Sequence, residues 1–451
     1  MHKKCVYILL FVFMVMLAAC EREYKVATNA ASLTFAIDTL SLDTVFTGQT
    51  TPIAKVCLYN HSDDDICISR ISLDGAELSP YVVNINGFTQ ETVENIRLRS
   101  SDSLYIFVSL KPVATSATAP IRTISDGITV TSGSCTSHLT IIAYALSVTE
   151  LRGRISSDTT LTSQSVYLIT DSLVVESGAT LSIEQGVKIY MSNAAQMHIY
   201  GSLNISGSYE EPVVIRQSRL DEFYNNIPSQ WGYIYIHKQS RDNIVNFAQL
   251  NGATYGFVVD STATFQMYSS TISHVGKSGV VAASSDVEIG NSLLFGCGGA
   301  LVEVSGGSLI VEQSTLAGYY AWDIRKKAAL TINADDGDVP MSNVYIANSI
   351  ICGSKSDEVE IDSTLLDVLR IENSIVRLGD DWSEDDEHFS NVSITKKLYF
   401  ADIDAYDYHI TEESPALDAA SPDVAAKYPF DLDGMPRSLD APDIGAFEFI
   451  P

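Results

Sequence analysis

Positive charge is scarce in this 451-residue chain: Lys and Arg total 28 against 56 Asp and Glu, a formal net charge of −28. A surface this acidic repels phosphate backbones, which excludes nucleic acid as a partner. Charge of either sign is also sparse, at 19% of residues against 46% hydrophobic, so the chain reads as a folded protein rather than a disordered acidic tail. Long apolar runs are lacking too. The unbroken run from Val6 to Leu17 has 12 residues, short of the roughly 20 that a spanning helix needs, and no stop-transfer pattern follows it. Beyond Cys20 the cysteines are Cys57, Cys67, Cys135, Cys297 and Cys352, an odd set without CxxC or metal-like spacing. No disulfide framework and no metal site can be read from them. Cys57 and Cys67 mirror each other about the polar turn His61-Ser62-Asp63-Asp64; buried free thiols are expected, with a cross-hairpin bridge as the alternative.

What is present begins at the start. His2, Lys3 and Lys4 precede the apolar run, and Ala18-Ala19-Cys20 follows it, the order of a basic segment, a hydrophobic segment and a small-residue cleavage site. Leu17-Ala18-Ala19-Cys20 resembles the lipobox of bacterial lipoproteins. The resemblance implies a signal peptide over 1–19, diacylation of Cys20, a tether over 20–31 and a membrane partner held through the lipid. Glu21-Arg22-Glu23 behind that cysteine resembles the surface-export signal of Bacteroidetes lipoproteins and implies an outer-membrane, outward-facing address.

Seven short alternating segments separated by turn residues fill 32–147, among them SLTFAID from Ser32, IAKVCLYN from Ile53, LYIFVSL from Leu104 and LTIIAYAL from Leu139. Their number and spacing predict an antiparallel β-sandwich, and the closing pair resembles immunoglobulin-like modules of bacterial surface proteins. No nucleophile, metal cluster or phosphate loop falls within it.

A repeat governs 157–395. Segments of the form apolar, any, Asn/Gln/Ser, Ser, any, apolar recur at Met267, Ile289, Val311, Ile346 and Ile371, and more loosely at Val245. Several starts lie 22 residues apart, and the interval from Val311 to Ile346 is 35. The apolar ends of each segment are five apart, which on a straight strand would put them on opposite faces, so a corner must lie between. Asn and Ser satisfy bent backbone there and can stack into a ladder over successive coils. Such a unit, stacked on its copies, predicts a parallel β-helix of some nine coils. Gly178 to Tyr190, Ile199 to Gly207 and Gln230 to Ile236 resemble the opening of right-handed β-helix surface proteins. Ser414-Pro415-Ala416-Leu417-Asp418, Asp431-Leu432-Asp433-Gly434 with Arg437, and Asp443-Ile444-Gly445-Ala446-Phe447-Glu448 resemble the segment that ends many of them, here a capping segment over 396–451. Over nearly its whole length the chain therefore resembles a family of Bacteroidetes right-handed β-helix lipoproteins, a likeness that implies a fold and an address but no activity.

Many β-helices cleave polysaccharides with catalytic sets carried on successive coils. Arg325-Lys326-Lys327 precedes Asn333-Ala334-Asp335-Asp336, the wrong order for a polygalacturonase-like hydrolase, and no Gly-His-Gly occurs. Asp335, Asp336 and Asp338 near Lys326 fall in the excess of the 35-residue interval and read as a solvated loop, not a metal site; Asp380 to Glu387 reads the same way. No lyase or hydrolase motif set is recognisable, which leaves any catalytic residues unassigned, and no cofactor or metal is expected. Binding has more support. Isoleucines alternate with Tyr190, His198, Tyr200, Tyr233, Tyr235 and His237, which puts those rings outside. Phe223, Tyr224 and Trp231 lie in or beside an irregular insertion from Leu220. Together Tyr190, Tyr200, Phe223, Tyr224, Trp231, Tyr233 and Tyr235 form the candidate surface for a polysaccharide or a surface protein. The expected function is a non-catalytic binding module, with a carbohydrate-active enzyme or an architectural stalk as alternatives; stacked outward tyrosines that only stiffen the sheet are the competing explanation of the rings.

Overall fold

The computed structural model describes residues 26–27, 33–113, 121–334, 339–395 and 397–450. Cys20, the signal segment and all of the tether except Val26–Ala27 lie outside the described residues, as do Asp335, Asp336 and Asp338. The chain is all-β and divides into two units between Ser147 and Val148. Among the described residues no helix is long and apolar enough to cross a membrane.

In the first unit alternation builds the core. Ile66 and Ile68, then Ile71 and Leu73 beyond a break in alternation at Ser69-Arg70, on one strand, and Leu104, Ile106, Val108 and Leu110 on another, all point inward. One sheet runs in the order Val26–Ala27, Asp65–Leu73, Ile121–Ser132, Cys135–Leu146, Thr39–Phe46, with Thr92–Leu98 also on Asp65–Leu73; the other is Leu33–Phe35, Ala54–Asn60, Ser103–Leu110, Tyr81–Ile85. Their inner faces share a single core, so the unit is a β-sandwich.

It differs from the expected sandwich in three ways. Cys135–Leu146 pairs in parallel with Thr39–Phe46, and Val26–Ala27 in parallel with Asp65–Leu73, so the first sheet is mixed. Thr39–Phe46 escapes a reading by alternation because Asp43 sits at φ 52° and the register slips opposite it, between Ile142 and Tyr144. Such a bulge flips the side chains that follow it. Cys57 and Cys67 do not face each other across a hairpin, since their strands belong to different sheets. Both are free thiols, half-buried and exposed respectively, rather than buried.

The second unit is a parallel β-helix of three faces. Face A stacks 153–155, 172–175, Gln196–Ile199, Ile234–Ile236, Phe257–Val259, the first halves of Val280–Gly290 and Val302–Glu312, Leu330–Asn333 and Val359–Ile361, which makes nine coils. Face B includes Ser202–Ser206, Asn243–Asn246, Thr264–Tyr268, Met341–Ala347 and Leu369–Glu372. Face C includes Lys188–Met191, Val213–Gln217, Ala248–Asn251, Thr271–Val275, Leu293–Cys297, Thr315–Gly318 and Ile350–Gly353. Thr149–Ile155 already pairs in parallel with Val166–Val175, so the first coil begins before residue 157.

The polar corner turns face B into face C. Asn291, Asn348 and Asn373 adopt φ of 48°, 49° and 42° there, a left-handed conformation that asparagine tolerates better than most residues. The serine after each is fully buried or nearly so, and its Oγ accepts the backbone N–H of the coil below: Ser270 N to Ser292 Oγ at 3.2 Å, Ser292 N to Ser314 Oγ at 3.1 Å, Ser314 N to Ser349 Oγ at 3.2 Å, Ser349 N to Ser374 Oγ at 3.0 Å. Each hydroxyl also donates to the carbonyl two residues back, as Ser292 does to Gly290 at 2.8 Å. The continuous ladder is thus made by serines, whereas the asparagines look outward. Asn291 and Asn348 meet the C-terminal segment, which lies along the flank of the helix. Leu293, Phe295, Ala317, Ile350 and Ile375 on the outside of face C are buried beneath Tyr408, Ile410, Ile444 and Phe447.

Candidate functional site

Face A gathers five rings. Ile199, Ile234 and Ile236 are fully buried, so by strand alternation His198, Tyr233 and Tyr235 stand outside, with Tyr200 and His237 just beyond the strand ends. Parallel pairing sets His198 against Tyr235 and leads Tyr200 to His237 on the next coil. The Tyr200 and His237 rings stack at 3.7 Å between centroids and 12° between planes. Tyr235 lies 4.2 Å from His237, and Tyr233 meets His198 edge-on at 5.8 Å. Polar groups finish the cluster. Tyr235 donates its hydroxyl to Asp260 Oδ2 at 3.3 Å; His198 Nδ1 and His237 Nε2 are 3.0 Å apart; His198 Nε2 is 3.2 Å from Gln196 Oε1. With the Gln196 oxygen accepting, His198 carries its proton on Nε2 and its Nδ1 accepts from His237 Nε2–H, so His198 is neutral. Burial holds both imidazoles below the usual histidine range, with the neighbouring His198 adding to the effect on His237. Burial, then the Asp260 carboxylate, raises the Tyr235 phenol. The face therefore offers flat rings, phenol hydroxyls and a carboxylate in one patch.

Of the seven candidate ring residues, Tyr200, Tyr233 and Tyr235 share this patch. Tyr190 does not: it sits on face C, in register with Arg216. Phe223 and Tyr224 belong to the excursion 218–230 at the corner leading from face C to face A. Their rings meet edge-on at 5.2 Å, Arg219 lies 3.9 Å over Tyr224, and Phe223 is 75% exposed. Trp231 is a correction. It is wholly buried and donates Nε1–H to the Asn251 carbonyl at 2.8 Å, which makes it a core residue at the point where the excursion rejoins the coil. His198 and His237 were legible as outward rings; Asp260 was not, because only the coil register carries it beside His237.

The same corner carries a second excursion, 319–329. Eleven residues separate Gly318 from Leu330, against four between Cys297 and Val302. Much of the long interval is therefore spent here, and not only in the acidic stretch after Asn333. Arg325 and Glu358, both fully buried, pair beneath this excursion, and Glu358 Oε2 also accepts from Ala329 N at 2.8 Å. Between the excursions lies a groove lined by Tyr255, Lys277, Ser278, Glu303, Lys326 and Lys327. Another recess, beside Trp382 and Glu384, opens where the last coil meets the C-terminal segment; Trp382 stacks on Phe389 at 5.4 Å and covers the end of the core. Among the described residues no group of three or more His, Cys, Asp or Glu is placed to hold a metal ion.

No curated protein matches the chain. Among solved structures, an ASH/PapD-like domain of human CEP192 aligns at 12% identity over 29% of this chain and 96% of that one, with a TM-score of 0.18. A family 123 glycoside hydrolase from Clostridium perfringens that acts on glycolipid glycans aligns at 9% identity over 29% of this chain and 30% of that one, with a TM-score of 0.20. Residues 153–266, which hold the first coils and the whole ring cluster, match the family described as a pectate-lyase like beta helix domain.

Proposed function

We propose that this protein is a lipid-anchored bacterial surface protein whose β-helix binds glycan on face A without cleaving it. The ring cluster of Tyr200, Tyr233, Tyr235, His198 and His237 carries the reading. Half-exposed aromatic faces beside an Asp260 carboxylate suit the C–H face and hydroxyls of a sugar ring. The match of 153–266 to a pectate-lyase like family supports a carbohydrate-related role. A non-catalytic role is favoured because the wrong order of the hydrolase-like residues leaves no recognisable acid–base pair. Lipidation at Cys20, a Bacteroidetes origin, an outward-facing outer-membrane address and an immunoglobulin-like character for the sandwich rest on the lipobox and strand resemblances.

One observation favours a structural reading instead: Tyr200 and His237 stack ring on ring across adjacent coils, and such a contact stiffens a sheet. Changing Tyr233 and Tyr235 together to Ala separates the two. The binding reading expects loss of retention on a glycan array with an unchanged melting temperature; loss of both supports stiffening. Wild type that binds no glycan on a broad array removes the carbohydrate reading.

A further inference from the structure

The ring cluster is one end of a track along face A, and the other end is basic. The outward position of Tyr235 continues in register to Val258, Val281 and Glu303. Three strand spacings of about 4.8 Å put Glu303 roughly 14 Å from Tyr235. Val281 and Glu303 also line the groove between the excursions. Glycines keep its floor at backbone height: a Cβ on Gly276 would come within 1.7 Å of Ser229 Oγ, and one on Gly299 within 2.7 Å of Ser278 Oγ. The wall at 319–329 is braced from below by Arg325 and Glu358 and tied across by Trp322 Nε1–H, which donates to the Asn226 carbonyl at 3.0 Å.

Positive charge gathers in this groove. Glu303 is already engaged, since Lys327 pairs with it and Ser278 Oγ donates to it at 3.1 Å. Lys277 lies 5.0 Å over the Tyr255 ring and Lys326 is exposed; among the described residues neither has a carboxylate partner. Asp323 is the one other acidic group in the lining. In a chain with 56 acidic and 28 basic residues, three lysines against two carboxylates in one groove run against the field of the whole protein. We infer that the groove is a subsite for an anionic substituent, a carboxylate or a sulfate ester, on the same glycan chain whose rings lie against Tyr233 and Tyr235. This rests on the glycan reading of face A. Lys277 and Lys326 meet the anion as point charges through charge-assisted hydrogen bonds, and the track spans the few sugar units between the two ends.

The test is an array that carries acidic oligosaccharides beside carboxyl-reduced and desulfated versions of the same chains, probed with wild type and with Lys277→Gln/Lys326→Gln. Wild type is expected to prefer the acidic chains by about 10-fold, the yield of one charge-assisted hydrogen bond, and to lose that preference at high salt. The lysine variant, melting like wild type because both side chains are exposed, is expected to hold acidic and neutral chains equally. Loss of preference on desulfation identifies sulfate as the anion; loss on carboxyl reduction identifies carboxylate. Equal binding of acidic and neutral chains by wild type, or a preference that survives the lysine changes, overturns the anion subsite and leaves the glycan face standing. No binding to any chain overturns both.

Discussion

Arg437 donates through Nη2 to Asn291 Oδ1 at 2.8 Å, joining the C-terminal segment to a corner of the β-helix 146 residues earlier. The guanidinium is almost fully buried, donates also to the Gly445 and Ala446 carbonyls, and pairs with Glu448 at 3.3 Å. Asn348 repeats the arrangement higher up: its amide donates to the Ser421 carbonyl at 2.8 Å while Ser421 N–H donates back to its Oδ1 at 2.8 Å. Asn291 and Asn348 are thus a docking strip for the protein's own tail.

Arg437→Ala should therefore release the tail. Removing one member of a buried pair leaves Glu448 and the corner amide uncompensated, at a cost of roughly 3–5 kcal/mol. Limited proteolysis should cut within 398–450 far sooner than in wild type. A protease pattern and melting temperature equal to wild type would show that the strip is not what holds the segment.

Ser292→Leu strikes the inner ladder. Ser292 is fully buried and takes the Ser270 N–H, so the change overfills the corner and orphans a donor. Overpacking costs about 1–3 kcal/mol and the unmet N–H about 1–3 more. Thermal melting should show a loss of that size, with Ser292→Ala intermediate.

Trp231→Ala should cost roughly 3–5 kcal/mol by opening a cavity in the core. Tyr233→Ala/Tyr235→Ala should cost little, because those side chains stand outside. Denaturant melts of the two variants side by side decide whether burial separates the neighbours as described.

Acid should weaken the contribution of the His198–His237 pair and strengthen that of His409. His198 and His237 sit below the usual histidine range, chiefly through burial, so the unfolded chain takes up protons first. Their contribution is present above about pH 6.5 and is lost as pH falls below it. His409 is opposite: burial opposes its charge, but bonds to Asp407 at 2.6 Å and Asp433 at 2.7 Å outweigh it and raise its pKa. Its contribution is full below about pH 6.5 and fades as pH rises through the raised value. Replacing His409 with Gln should reduce stability at pH 5.5 more than at pH 8.5, and replacing His198 and His237 with Gln should flatten the loss on acidification. Equal effects at both pH values would contradict the assigned charge states.

If Cys20 carries the acyl chains of the proposed anchor, Cys20→Ser should move the protein from the detergent phase to the aqueous phase on phase separation. Unchanged partitioning would remove the anchor.

The β-helix could be read from the sequence because its signals are local. A five-residue apolar spacing around Asn-Ser demands a corner wherever it occurs, and its repeated return, most often after 22 residues, demands stacking. Strand alternation likewise put Ile199, Ile234 and Ile236 inside and their ring neighbours outside. Which rings meet is not local. Ile199 and Ile236 are in register 37 residues apart, because the excursion 218–230 lies between them, whereas Ile236 and Val259 are 23 apart. The length of each corner decides which residue of the next coil arrives beside a given side chain. Loop length thus set Tyr200 on His237, sent Tyr190 to another face and closed the core over Trp231. The tail is the same case at longer range: hydrogen bonding at Asn291 is demanded by its own position in the corner, but only the folded chain could bring Arg437 there to meet it.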